Sequence, residues 1–166
     1  MSHHPFGNKS KQGISLIEML VSVSVIATTL TSLLGLASFS LKTTTLIRKT
    51  SQANYIAQEL IEQIRNIRDE TDWNADGIGT LVMGADYYAQ KTGSPSRWQL
   101  FLGTETRNGF TKKAVFESIM RDALDNIVET GGSDDPNAKK VTVTVSWQER
   151  GITHSTELIT YLTNWR

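Results

Sequence analysis

Between Met19 and Leu41 the chain runs for 23 residues without a charged side chain. At about 1.5 Å per residue, a helix of that length spans the roughly 30 Å of a bilayer's hydrocarbon layer. The run therefore predicts a transmembrane helix. It is rich in hydroxyls for such a segment, with Ser22, Ser24, Thr28, Thr29, Thr31, Ser32, Ser38 and Ser40. Helix interiors tolerate these residues because each hydroxyl can bond back to a carbonyl of the preceding turn.

The residues ahead of the run, MSHHPFGNKSKQG, carry Lys9 and Lys11 but no acid, and they end at Gly13, a helix-interrupting residue. An ordinary secretory signal is the simpler alternative, with Gly35-Leu36-Ala37 as a small-x-small cleavage site. Two features argue against it. Glu18 stands at the start of the apolar run, where a cleavable signal gains nothing from a carboxylate, and helical character persists beyond Ala37. Charge gives no clear orientation, because Lys42, Arg48 and Lys49 follow the run as closely as the leader lysines precede it.

In a chain of 166 residues this leaves room for one compact domain. The 17 basic and 17 acidic residues cancel, so there is no strong positive field of the kind that gathers nucleic acid. No cysteine is present, which removes disulfides, thiolate nucleophiles, Cys-based zinc sites and a lipid-modified N-terminal Cys.

After the apolar block, Ala53, Ile56, Ala57, Leu60, Ile61, Ile64 and Ile67 recur at helical spacing, with Glu59, Glu62, Arg65 and Arg68 off that stripe. No Pro lies between Pro5 and Pro95, so one helix is predicted from about Ser15 to Asp69, apolar all round in its first half and amphipathic in its second. Beyond Asp72, Gly-punctuated runs predict strands over Thr80–Met83, Tyr87–Lys91, Arg97–Leu102, Lys139–Gln148 and Thr153–Leu162. In the fourth, Val141, Val143, Val145 and Trp147 alternate with polar residues, and Gly151 suits the turn into the fifth, giving a hairpin with one buried face. Residues 110 to 128 fit two patterns: Phe116, Ile119, Met120, Ala123, Leu124 and Ile127 follow a helical period, whereas Phe110 to Phe116 also reads as a strand.

The stretch KQGISLIEML, Lys11 to Leu20, resembles the processing motif of type IV prepilins and type II secretion pseudopilins: a basic residue, Gly, an apolar residue and, four further on, Glu. The long helix that turns from apolar to amphipathic resembles that family too. The resemblance implies cleavage by prepilin peptidase between Gly13 and Ile14, N-methylation of Ile14, and an assembly role for Glu18. Removal of Lys9 and Lys11 then leaves 15 bases against 17 acids. A carboxylate at membrane depth costs a few kcal/mol unless it finds a partner. The new amine of Ile14 on a neighbouring subunit is such a partner; the alternative is a headgroup-layer Glu favoured by the helix dipole. Ser15, Glu18, Ser22, Thr29 and Ser32 share one helical face, either a close-approach line for a second helix or hydroxyls individually tolerated in lipid. Relatives often carry a helix-breaking Pro in this stretch; here the only comparable weak point is Gly35.

Less specifically, KKVTVTVSWQERGITHSTELITYLTNW resembles the closing hairpin of minor pilins of the PilV type, and SQANYIAQELIEQIRNIRD resembles the helix that precedes it. That comparison implies strands over residues 110 to 121.

Other constellations bear on function. Asp72, Asn74 and Asp76, followed by Gly77, match the opening of a calcium loop, but Met83 occupies the place of the closing acid; a turn leaving the helix is the alternative. His3 and His4 lie in the leader and His154 in a predicted strand, and no G-x-S-x-G motif is present, so no catalytic set is assembled and no enzymatic activity is expected. Trp73, Trp98, Trp147 and Trp165 are expected in the core or packed at its edge. Residues 131 to 136, GGSDDP, read as an exposed contact loop.

The expected architecture is an α+β pilin-like fold, with a leader at 1–13, a transmembrane and assembly segment at 14–41, an amphipathic segment at 42–70 and an antiparallel-sheet domain at 71–166. The expected function is structural: a minor pilin anchored in the cytoplasmic membrane with its domain outside, then assembled into a filament. Its partners are other pilin or pseudopilin subunits, prepilin peptidase, an inner-membrane assembly platform and the lipid bilayer, with no nucleic acid and no cofactor beyond the calcium question. The alternatives are a pseudopilin of a secretion or DNA-uptake machine and a monomeric membrane-anchored binding domain.

Overall fold

The computed structural model describes residues 15–165. One helix, α1, runs unbroken from Leu16 to Glu70, through Gly35. The described residues divide into two compact units, one up to Leu46 and the other from Ile47. In the first, no described residue is buried.

Burial begins at Ala53. From there Ala53, Ala57, Leu60, Ile61, Ile64 and Ile67 turn one stripe of α1 onto a sheet, as their spacing predicts, while Ile56 is half-buried. Thr71 ends the helix by donating both its amide and its hydroxyl to the Ile67 carbonyl, at 3.0 and 2.7 Å.

The sheet has seven strands: β1 (Asp86–Thr92), β2 (Arg97–Leu102), β3 (Glu105–Arg107), β4 (Phe110–Arg121), β5 (Ile127–Val128), β6 (Ser133–Glu149) and β7 (Ile152–Thr163). Their order is β2-β1-β4-β6-β7, with β3 and β5 also paired to β4, and every pairing is antiparallel. Adjacent chain segments mostly become neighbours, so short turns suffice. The α+β layout expected from sequence is thus the one observed, a long apolar helix packed through its second half on an antiparallel sheet.

The core lies between α1 and one face of this sheet. Alternation puts Val141, Val143, Val145 and Trp147 of β6 on that face. Opposite them on β4 stand Phe116 against Val141, Ala114 against Val143 and Phe110 against Trp147. The Phe116 ring is fully buried and meets the Tyr87 ring edge-on at 5.7 Å. The β4 strand settles residues 110 to 121 in favour of the strand reading. The helical stripe does not form one face: Leu124 is 82% exposed and Ile127 starts β5.

Three expectations are corrected. Thr80–Met83 is no strand; a single 3-10 turn covers Ile78–Thr80 and an irregular link follows. The cause is local crowding, since a Cβ on Gly77 or Gly79 would sit 2.5 Å from the carbonyl of Asp72 or Trp73, and the Val82 amide is taken by the Tyr87 hydroxyl at 2.9 Å. Residues 131 to 136 are a free loop only at their start, because Ser133 opens β6. Trp73 and Trp147 are buried and Trp98 is half-buried under Lys91, but Trp165 is 61% exposed.

The start of β6 is held by charge. A register shift between Ser118 and Ile119 leaves residues 136 to 138 of β6 without partners on β4, a bulge that accommodates Pro136, which has no N–H to pair. Across it Arg121 Nε donates to Asp135 at 2.7 Å, and the Trp73 indole donates to the Pro136 carbonyl at 3.0 Å. The Arg121 hydrogen bond holds the Asp135 carboxyl below the usual carboxylate range, and the Asn126 amide does the same for Asp122. A depressed folded-state value stabilises the fold above the unfolded value of about 3.9 and loses that contribution as pH falls through the depressed one. Asp135→Asn should therefore flatten the fall in Tm below about pH 4 and lower Tm slightly at neutral pH, as measured by thermal melts across an acid series.

Candidate functional site

The candidate site is the first half of α1. Its apolar side chains have no cover from the described residues: Leu16 is 77% exposed, and the best membrane-spanning window is wholly unburied. A helix apolar all round and bare is suited to lipid or to other helices. By length and composition, it is able to cross a membrane as a single span.

The hydroxyls do not spoil this surface. Ser24 donates to the Val21 carbonyl at 2.8 Å, Thr28 to Ser24 and Val25, Thr29 to Val25 and Ile26, Thr31 to Ala27 and Thr28, and Ser32 to Thr28. Thr44 and Thr45 repeat the pattern one level beyond the uncharged run. Each bond satisfies a polar group that would otherwise cost about 1–3 kcal/mol in an apolar medium. The face predicted from Ser15 to Ser32 thus includes hydroxyls already engaged with their own helix.

Glu18 lies in the first turn of α1, where the helix dipole favours an anion. Its neighbours Ile17, Met19 and Leu20 are apolar and exposed. The next charge along α1 is Lys42, so Glu18 is the lone ionisable side chain of the uncovered apolar stretch. Gly13 and Ile14 lie outside the described residues.

Asp72, Asn74 and Asp76 come together in a turn directly after α1, apart from the helical site. Asp72 Oδ1 accepts from the amides of Asn74 and Ala75 at 3.0 and 3.2 Å, while Asp76 Oδ1 accepts from the Asp72 amide at 3.0 Å. These bonds account for the acid-and-glycine pattern as a self-capped turn. Among the described residues no group of three or more His, Asp or Glu side chains is arranged to hold a metal ion.

One feature was not legible in the sequence. Lys49 reaches the tip of the β6–β7 hairpin, 3.6 Å from Glu149 and 3.5 Å from the Gln148 carbonyl. The pairing of Phe110 with Trp147 brings the β3–β4 turn to the same end. Arg48, Arg107 and Arg150 consequently lie at the same end of this unit although 102 positions separate the first from the last. No local motif signals this; only strand register creates it. Comparison with known proteins returns no match, whether to a family model, a curated protein or a solved structure.

Proposed function

We propose that this chain is a minor subunit of a type IV pilus-like filament, cut after Gly13, methylated on Ile14 and assembled through the first half of α1. The observation that carries the reading is a bare apolar helix whose one charge, Glu18, stands at its start, five residues after the glycine of a prepilin-like leader. Among the described residues no basic side chain of the helix is within reach of that carboxylate, the next charge being Lys42. The amine of Ile14 on a neighbouring copy neutralises it, and that pairing fixes the axial offset between helices. Apolar surface then passes from lipid to protein contact as subunits leave the membrane.

In this reading the chain waits in the cytoplasmic membrane as a single-pass protein with its sheet domain outside. Prepilin peptidase meets the leader on the cytoplasmic side, and an inner-membrane platform drives extraction. The domain contributes surface to the fibre instead of chemistry.

Mass spectrometry of the mature chain tests this directly. The expected N terminus is N-methyl-Ile14, with residues 1 to 13 absent. A chain retaining Met1, or one starting at Ser38 after an ordinary signal cleavage, overturns the proposal.

A further inference from the structure

From the way charge is distributed over residues 47–166, we infer that the end of this unit bearing Arg48, Arg107 and Arg150 is a docking surface for anionic phospholipid headgroups. The inference rests on the uncharged stretch of α1 lying in a bilayer, but on neither leader cleavage nor filament assembly.

Three segments meet at this end: the start of the unit's helix, the β3–β4 turn and the β6–β7 turn. Gln52, Tyr55 and Ile56 of α1 line one cleft with Arg107 and Asn108, and Lys49 touches the β6–β7 tip. Here Glu149 is paired with Lys49 and Glu105 with Lys112. Arg48, Arg107 and Arg150 are exposed and form no salt bridge among the described residues, and the one acid of the cleft outside those pairs is Glu59, which accepts from Gln63 at 2.9 Å, so the end keeps an excess of positive charge. Ile152, 61% exposed, adds an apolar tip beside Arg150.

The opposite end has the opposite sign. Asp72 and Asp76 follow the close of α1, Asp122 and Asp125 sit in the β4–β5 turn, and Asp134 and Asp135 open β6. The Trp73 bond to Pro136 ties these segments to one end. The unit is therefore electrically polarised, and near an anionic surface it lowers its energy by turning the arginine end inward.

Distance favours the contact. Arg48 follows Leu41, the last residue of the uncharged run, by seven positions of continuous helix, about 10 Å along the axis. That is comparable with the Debye length, about 8–10 Å at physiological ionic strength.

The β6–β7 turn adds a conformational argument. Both turns have positive φ at both central residues: Asn108 and Gly109 at 52° and 80°, and Arg150 and Gly151 at the same angles. Such two-residue turns favour Asn-Gly, which the first uses. The second places Arg where Asn is the easier residue, so a side chain is kept at a conformational cost and its charge is presented at the hairpin tip.

The test uses the full chain reconstituted in vesicles of neutral phosphatidylcholine, or of phosphatidylcholine with one third phosphatidylglycerol. The chain has no native Cys, so Ile152→Cys accepts a single fluorophore, with Glu129→Cys as a control at the acidic end. Quenching by headgroup spin-labelled lipid should be stronger at position 152 than at 129 in the anionic vesicles, and should fade at high salt. The double variant Arg107→Gln with Arg150→Asn should lower the ratio of docked to undocked domain about 30-fold, since each basic residue near an anionic surface contributes about fivefold. The same variant should melt no lower than the parent, because Asn suits the turn, so lost quenching does not mean lost folding. Equal quenching at both positions, or quenching at 152 indifferent to phosphatidylglycerol, overturns the inference. A chain that fails to float with either vesicle overturns the membrane reading as well.

Discussion

Replacing Phe116 with Ala should destabilise the sheet domain by about 3–5 kcal/mol, the usual cost of truncating a buried aromatic side chain. Phe116 is fully buried, pairs across β4–β6 with Val141 and lies edge-on to Tyr87. Truncation removes that ring contact and leaves a void under α1 that the strands on either side cannot close without breaking register. For a domain of this size the expected fall in Tm is on the order of 10–20 °C. Phe116→Leu, which keeps most of the volume, should cost about 1–2 kcal/mol. A loss in the alanine variant no greater than in the leucine variant would mean the core closes around the site and that β4 is not rigidly framed.

Replacing Glu18 with Ala should separate anchoring from assembly. Removing a carboxylate from an apolar helix lowers its insertion cost by about 2–3 kcal/mol, so the variant should stay in the membrane fraction at parental levels. Under the proposed assembly its entry into sheared filaments should fall by at least about tenfold, because the proposed charge-assisted pairing, worth roughly 1.5–3 kcal/mol, would be lost at every subunit contact. Immunoblots of membrane and filament fractions from the same cells read both quantities. Parental amounts of the variant in filaments would falsify the pairing of Glu18 with Ile14, even with the leader cut where expected.

How much of this was readable in advance depended on whether the signal was periodic or long-range. The helix from about Ser15 to Asp69 was legible because its pattern is continuous and nothing breaks it, and the structure bounds it at Leu16 and Glu70. The β6–β7 hairpin was legible because Val141, Val143, Val145 and Trp147 alternate over a face buried on one side only. Residues 110 to 128 misled the periodicity argument because apolar residues from β4, the turn after it and β5 fall at helical intervals. Phe116 faces the core of β4 while Ile127 starts β5. Thr80–Met83 was misread because close backbone packing around Trp73, invisible in the residue string, claims that segment. For the candidate site, the uncharged run and Glu18 were plain from charge alone. The arginine end was not, since strand register and the Lys49 contact are what place Arg48, Arg107 and Arg150 at one end.

Because the core begins at Ala53 and no described residue before it is buried, the energy that folds this protein comes from a different stretch of polypeptide than the one able to cross a membrane. A protease nick among residues 42 to 46 would sever no packed side chain. The expected product is an intact sheet domain, so its release from a membrane would require a single cleavage and no unfolding.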